Sequence, residues 1–226
     1  MLDVKNVSYC IDDQRILDHV SFRVDQGEAI AVVGPSGSGK STLLRIVADL
    51  ISPTEGTIQF KNELYETYEP EALRQKISYL PQSVELFGDT IRDNLIFPSH
   101  ARKEGFDKSR AKYLLDAMGL KKYKLSDSVH HMSGGEKQRV TIARQLMFKP
   151  DLLLLDEATS ALDDINSKKI EKFIFDLVKE GMSVMWITHN TEQSHRHFHR
   201  QLEITNGTIT KEEPVSYTHL RAHETS

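Results

Sequence analysis

At 226 residues, with 38% hydrophobic and 27% charged side chains, the chain is long enough for one domain with a sizeable core. A formal net charge of -4 excludes the strongly basic footprint of a nucleic-acid binder, and the single cysteine, Cys10, excludes an internal disulfide and fits a reducing compartment. The N-terminal residues carry early charges and no long apolar core, unlike a signal peptide, and no apolar stretch approaches the ~20 residues of a membrane span, so any role at a membrane is expected to run through a separate membrane subunit.

Residues 2–11 alternate as a strand, with Leu2, Val4, Val7 and Tyr9 on the inward face. Gln14 to Val24 reads as a second strand, and Gly27 as the turn into a short β-prone run, Ala29 to Val33. Directly after it stands Gly-Pro-Ser-Gly-Ser-Gly-Lys-Ser-Thr at 34–42, followed by Leu43 to Leu50, apolar at helical spacing. This is the spacing G-x-x-x-x-G-K-[ST] between a strand and a helix. Glycines let successive backbone N–H groups turn inward around an anion, and the helix N-terminus adds free N–H groups and a positive dipole end. Gly34, Pro35, Ser36, Gly37, Ser38, Gly39, Lys40, Ser41 and Thr42 are therefore the candidate triphosphate site. Lys40 can reach the β- and γ-phosphates, and the Ser41 hydroxyl can ligate Mg²⁺. A plain Gly/Ser-rich turn would match this pattern with odds on the order of one in a hundred.

Ser52-Pro53-Thr54-Glu55-Gly56 stops the first helix, Thr57 to Phe60 returns as a strand, and Ile77 to Leu80 is another, ending at Pro81-Gln82. Residues 83–148 read as mainly helical, with an apolar stripe at Ala111, Leu114, Leu115 and Met118. Leu152 to Leu155 is an apolar run suited to a strand buried on both faces and is expected to neighbour the strand before the phosphate loop. It ends in Asp156 and Glu157, placed to hold a Mg²⁺ shell and to polarise an attacking water; taken alone, the run reads better as a strand followed by an acidic helix N-cap. Ile165 to Lys179 is helical, Val184 to Ile187 a buried strand, and Leu202 to Thr210 a hairpin about Asn206-Gly207. Strands alternating with helices predict an α/β core with a parallel sheet. Residues 1–214 are expected to form one domain, with a helical subdomain within 83–148. Residues 215–226 read as a non-native or disordered tail that resembles translated adapter sequence.

Met132-Ser133-Gly134-Gly135-Glu136-Lys137-Gln138-Arg139 resembles the signature motif of ATP-binding cassette (ABC) ATPases. Tyr9 fits the family's adenine-stacking aromatic, Gln82 its glutamine loop, Ser160-Ala161-Leu162-Asp163 its D-loop, and His189 its switch histidine, all in the family's order. The resemblance implies a P-loop NTPase fold with a parallel-sheet core, an N-terminal antiparallel β subdomain and an α-helical subdomain. It also implies ATP and Mg²⁺, the metal held by Ser41, Gln82 and Asp156, with Glu157 as base, His189 on the γ-phosphate and Lys40 on the phosphates. Two copies would stand head to tail with ATP at the interface, so that Ser133, Gly134, Gly135 and Asp163 of one copy meet the phosphate loop of the other. An integral membrane permease would be the partner, nucleic acid would not, and the subunit would sit peripherally on the cytoplasmic face of the inner membrane. Met132 replaces the common Leu and Glu136 the common Gln; the first swap is near-isosteric, and the second puts a carboxylate at a helix start, where it is favoured. The segment Tyr123 to His131 lacks the acidic loop of exporters fused to their membrane domain.

Leu86 to Pro98, together with the signature and Met185-Trp186-Ile187-Thr188-His189, resembles the ATPase subunit of bacterial iron-efflux transporters of the Fet type. Iron efflux is thus the expected task, with an importer or a lipid or drug exporter as the alternative, and a soluble ABC protein acting on ribosomes or DNA behind both. Leu86, Phe87, Ile91 and Leu95, rimmed by Asp89, Arg92 and Asp93, are expected to be exposed as a docking face with Gln82. His195 and His199 would share a helix face with His197 nearby; flanked by Arg196 and Arg200, they read as a solvated face rather than a metal site.

Overall fold

The computed structural model describes residues 1–215 apart from Val84, His195 and Arg196, and leaves the side chains of Thr191 and Glu192 aside. Leu2–Ile11 (β1) and Gln14–Val24 (β2) pair antiparallel. The pairing slips where Asn6 and His19 take positive φ, and hydroxyls fill the gap: the Asn6 N–H donates to Ser21 Oγ and the His19 N–H to Ser8 Oγ. Ala29–Val33 (β3) runs into the 34–39 loop and Lys40–Val47 (α1). Glu55–Phe60 (β4) and Glu63–Leu64 (β5) follow, then a 3₁₀ turn at Tyr65–Thr67 and Pro70–Lys76 (α2). Next come Ile77–Leu80 (β6), Ile91–Arg102 (α3), Lys108–Ala117 (α4) and Gly134–Gln145 (α5). Leu152–Asp156 (β7), Asp164–Lys179 (α6), Ser183–Ile187 (β8), Thr191–Ser194 (α7), Arg200–Thr205 (β9) and Thr208–Pro214 (β10) complete the chain.

One sheet is antiparallel, in the order β2-β1-β4-β5; the other, β10-β9-β3-β8-β7-β6, is parallel apart from its edge strand β10. Period-two alternation sorts the core. Ile30, Val32, Leu152 and Leu154 face α1 and the small sheet, while Ala29, Ala31, Leu153, Leu155 and Trp186 face α3 to α6. The helices over 91–145 share that second core with the sheet. α3 and α5 each open with a capping box, Thr90 with Asp93 and Ser133 with Glu136, and Asp163 caps α6.

Five expectations need correction. β7 is not the neighbour of β3, because β8 inserts between them; a run buried on both faces fits any interior position of a parallel sheet, so burial could not choose. α2 went unread because it buries only Leu73 and so carries no stripe. Ile91 and Leu95 are 0% exposed: the capped helix turns them into the core, and the open aromatics are Phe87 at 41% and Phe97 at 52%. His199 is on no helix; its Nδ1 accepts the Ala29 N–H at 2.9 Å and its own N–H donates to the Ala29 carbonyl at 2.9 Å, which makes it a strut between β3 and β9, while His195 lies outside the described residues. Val215 is buried and its N–H donates to the His199 carbonyl at 3.0 Å, so the packed chain runs one residue past 214, and 216–226 lie outside the described residues.

Candidate functional site

The loop 34–39 is pressed into shape from outside. A Cβ on Gly34, whose φ is +137°, would lie 2.0 Å from the Ile204 carbonyl oxygen of β9, so only glycine fits. The Gly207 N–H donates to the Ser38 carbonyl at 3.1 Å, and the Gly207 carbonyl accepts from the Asp18 N–H at 2.9 Å. The turn Asn206-Gly207, both at positive φ, thereby clamps the loop to β2. Lys40 is buried and folds back to donate to the Gly34 carbonyl at 2.9 Å and the Pro35 carbonyl at 2.7 Å. Burial pushes its ammonium below the usual lysine value, and Glu157 and Asp156 partly oppose that. The result is a buried cation held against two carbonyls of the loop.

The ends of β6, β7 and β8 bring the acidic half of the site together. Tyr79 donates its hydroxyl to Asp156 Oδ2 at 3.1 Å. Desolvation raises the Tyr79 phenol, Arg45 opposes this, and Asp156 adds to it, which keeps the phenol a donor. Asp156 Oδ1 is buried without a hydrogen-bond partner among the described residues. A buried carboxylate oxygen in that state is costly unless something cationic meets it, and with the Ser41 hydroxyl in the first turn of α1 this donor set fits Mg²⁺.

Glu157 sits in the left-handed region at φ 51°, at a cost of roughly 1–2 kcal/mol for an L-residue. Its N–H donates to the Ile187 carbonyl at 3.1 Å, and its own carbonyl accepts from Ser160 N–H and Oγ. The kink aims the carboxylate between two other strand ends. Gln82 Nε2 donates to Oε2 at 2.8 Å, and His189 Nε2 stands 2.9 Å from Oε1. A cavity of about 400 Å³ lies beside this trio, lined in part by Ser160 and Gln193, and a second of about 190 Å³ reaches Gly34; both touch Thr188, His189 and Asn190. A carboxylate so placed can take a proton from a water bound at the phosphate loop.

The remaining candidates form a separate group. Ser133 and Gly134 are exposed at the start of α5, and among the described residues no hydrogen bond or ion pair joins Ser133, Gly134 or Gly135 to residues 34–42. The Asp163 side chain is taken up by the Asn166 N–H and Nδ2. Tyr9 is half-buried on β1, paired with Leu17, and packs against the core on the α1 side. Two residues missed in the sequence tie the groups together. Gln138, buried in α5, donates to the Ala158 carbonyl at 3.0 Å, and Gln145 at the end of α5 grips β6 through Ser78 Oγ and the Tyr79 carbonyl. Polar residues at interior positions of a helix are the one signal that pointed to them. Tyr79 had only its place three residues before Gln82.

A family profile described as ABC transporter matches residues 17–160. The sequence is 44% identical over 194 residues to the "Probable iron export ATP-binding protein FetA" of Escherichia coli (strain K12), a match covering 85% of this chain and 86% of that protein. It is 37% identical to the "Lipoprotein-releasing system ATP-binding protein LolD" of Aquifex aeolicus (strain VF5), over 94% of this chain and 97% of that one. Among solved structures, the dimeric post-hydrolysis state of an ATP-binding cassette bound to ADP and Pi superposes with a TM-score of 0.86 at 29% identity, covering 96% of this chain and 99% of that one. Among the described residues no helix is long and apolar enough to cross a membrane.

Proposed function

The chain belongs to the ABC transporter family and is an ATP-binding, ATP-hydrolysing subunit of such a transporter, and from that premise we propose that it powers iron efflux through a separate membrane subunit. The observation that carries the iron reading is the 44% identity to the E. coli iron export relative. The LolD similarity favours a second reading, export of a lipid-linked substrate.

In this reading two copies stand head to tail, each nucleotide meeting residues 34–42 of one copy and Ser133, Gly134 and Gly135 of the other, with Asp163 at the crossing. The separation of the two residue groups within one chain and the dimeric neighbour support it. Tyr9 stacks on the adenine. Asp156, Ser41 and Gln82 would hold Mg²⁺, which supplies charge neutralisation to the β- and γ-phosphates. Lys40 leaves the loop carbonyls to meet the triphosphate. The α5 N-terminus, with exposed N–H groups and a positive dipole end, does for the partner's nucleotide what an arginine finger does elsewhere. Glu157 takes the proton of the attacking water, and His189 steadies the γ-phosphate. The subunit works peripherally, on the cytoplasmic face of the inner membrane.

The membrane subunit docks where Phe87 and Phe97 meet edge to face at 5.0 Å, over a groove of about 640 Å³ that Arg102 and Arg144 also line. Coupling then runs through Gln82, which lies a few residues before Phe87 and holds Glu157. The test is reconstitution with a candidate membrane subunit. ATP-dependent Fe²⁺ movement in proteoliposomes supports the iron reading, and lipoprotein or lipid movement without it replaces that reading with the second.

A further inference from the structure

Away from the nucleotide site, a cavity of about 820 Å³ opens between the start of α3, one face of α4 and the turn 120–127. Arg92, Lys108, Lys112, Lys121 and Lys124 line it, against the carboxylates of Asp93 and Asp116. Asp93 is already committed: it accepts from the Asp89 N–H, the Thr90 N–H and the Thr90 hydroxyl at the N-terminus of α3. None of the five cations has an ion-pair partner among the described residues, although the adjacent Lys122 takes Glu136 at 2.9 Å. In a chain of net charge -4, this is a local excess of positive charge that repels itself when nothing is bound.

The wall between the cations is apolar. Leu115 is buried and Leu125 half-buried, with Tyr123 beside them. The frame is pre-formed, because the turn is bonded to α3 and to itself. The Ile91 N–H donates to the Asp127 carbonyl at 3.1 Å, Arg92 N–H to the Leu125 carbonyl at 2.8 Å, and Lys124 N–H to Asp127 Oδ2 at 2.8 Å. Cations converging from a helix and a turn suit a compact anion of more than one charge better than a lone carboxylate, and the apolar wall suits a ligand with a hydrocarbon body.

We propose that this cavity binds a phosphate ester carrying an apolar body. The headgroup of an anionic phospholipid is one source of that chemistry and a soluble phosphate ester the other. The site is independent of the nucleotide chemistry and of the transported substrate, so its failure leaves the iron reading untouched.

The test uses the full chain, in flotation with phosphatidylglycerol/phosphatidylcholine vesicles and with pure phosphatidylcholine vesicles, and in calorimetric titration with hexyl phosphate. Lys121→Glu/Lys124→Glu should lower flotation with the anionic vesicles by roughly tenfold or more, since each lysine near an anionic surface is worth about fivefold. Lys168→Glu/Lys172→Glu on α6, with the same charge change, should not. Lys108→Gln/Lys112→Gln serves where the reversed pair lowers the melting temperature, and ATP affinity should match the parent in all of them. Saturable hexyl phosphate binding that the cavity variants abolish, with no flotation, supports the proposal and names the soluble source. Equal flotation with neutral vesicles, parental flotation of the cavity variants, or no binding in either arm overturns it. So does loss of the membrane subunit from the cavity variants when the parent binds no phosphate, an outcome that would assign the cavity to an acidic protein segment.

Discussion

Gln82 Nε2 lies 2.8 Å from Glu157 Oε2, joining the end of β6 to the first residue after β7. With His189 at the other carboxylate oxygen, both oxygens of Glu157 are engaged by neighbouring strand ends. A water placed for attack must share or displace one of them. Gln82 belongs to the segment that leads into Phe87 and α3, so any shift of that segment changes how free the carboxylate is.

Glu157→Gln keeps the shape of this cluster and removes the base. ATP binding should persist while hydrolysis slows by roughly 10²–10⁴. Single-turnover measurement with radiolabelled ATP checks this, and parental turnover would move the base elsewhere.

Lys40→Ala removes the cation that organises the loop and meets the phosphates. Nucleotide affinity should fall by at least tenfold, the worth of a charge-assisted contact of about 1.5–3 kcal/mol. Fluorescent-ATP titration reads it directly, and near-parental affinity would refute the role.

Phe87, in the loop before α3, and Ile91, the first residue of α3, should part company. Ile91→Ala, fully buried, should destabilise the isolated chain by about 2–5 kcal/mol. Phe87→Ala, with its ring 41% exposed against Phe97, should cost about 1 kcal/mol or less. If docking is where we place it, Phe87→Ala should also weaken co-purification with the membrane subunit. Chemical denaturation and pull-down together separate the two effects.

Glu136 makes stability depend on acid. The Lys122 ammonium, then the Ser133 N–H, hold its carboxyl down at about 2, against partial burial that pushes the other way. A depressed carboxylate stabilises the fold above its unfolded value near ~4.3, and the contribution drains away as pH falls from there toward 2. Lys122 is largely exposed, so solvent screening reduces the worth to ~1 kcal/mol or less. The stability gap between parent and Glu136→Gln should therefore be full at pH 6 and reduced to roughly a quarter at pH 2.5. A gap that does not change with pH would show that the ion pair contributes nothing.

The readable parts of the sequence were those governed by local rules. The phosphate loop, the strand-ending Asp156-Glu157, the capping pair Ser133 and Glu136, and the Asn206-Gly207 turn all carry their chemistry within a few residues. Strand order did not, since β7 and β8 share the same four-residue apolar run and full burial, and only packing decides which stands next to β3. The fate of residues 86–97 was equally non-local: the capped helix decides that Ile91 and Leu95 turn inward and Phe97 outward. Tyr79, Gln138 and Gln145 were missed because their partners are 20 to 77 residues away, beyond any periodic signal.

The clamp of Gly207 on Ser38 and Asp18 sets an order on the making of the protein. The loop at 34–39 leaves the ribosome about 170 residues before the turn that braces it. β3 is in the same position, flanked by β8 and β9. At ~5–20 residues per second, the apolar run Ala29–Val33 waits roughly ten to thirty seconds for both neighbours. Throughout that wait nucleotide cannot rescue the nascent chain, and holding such a strand apart from other chains falls to whatever binds it in the meantime.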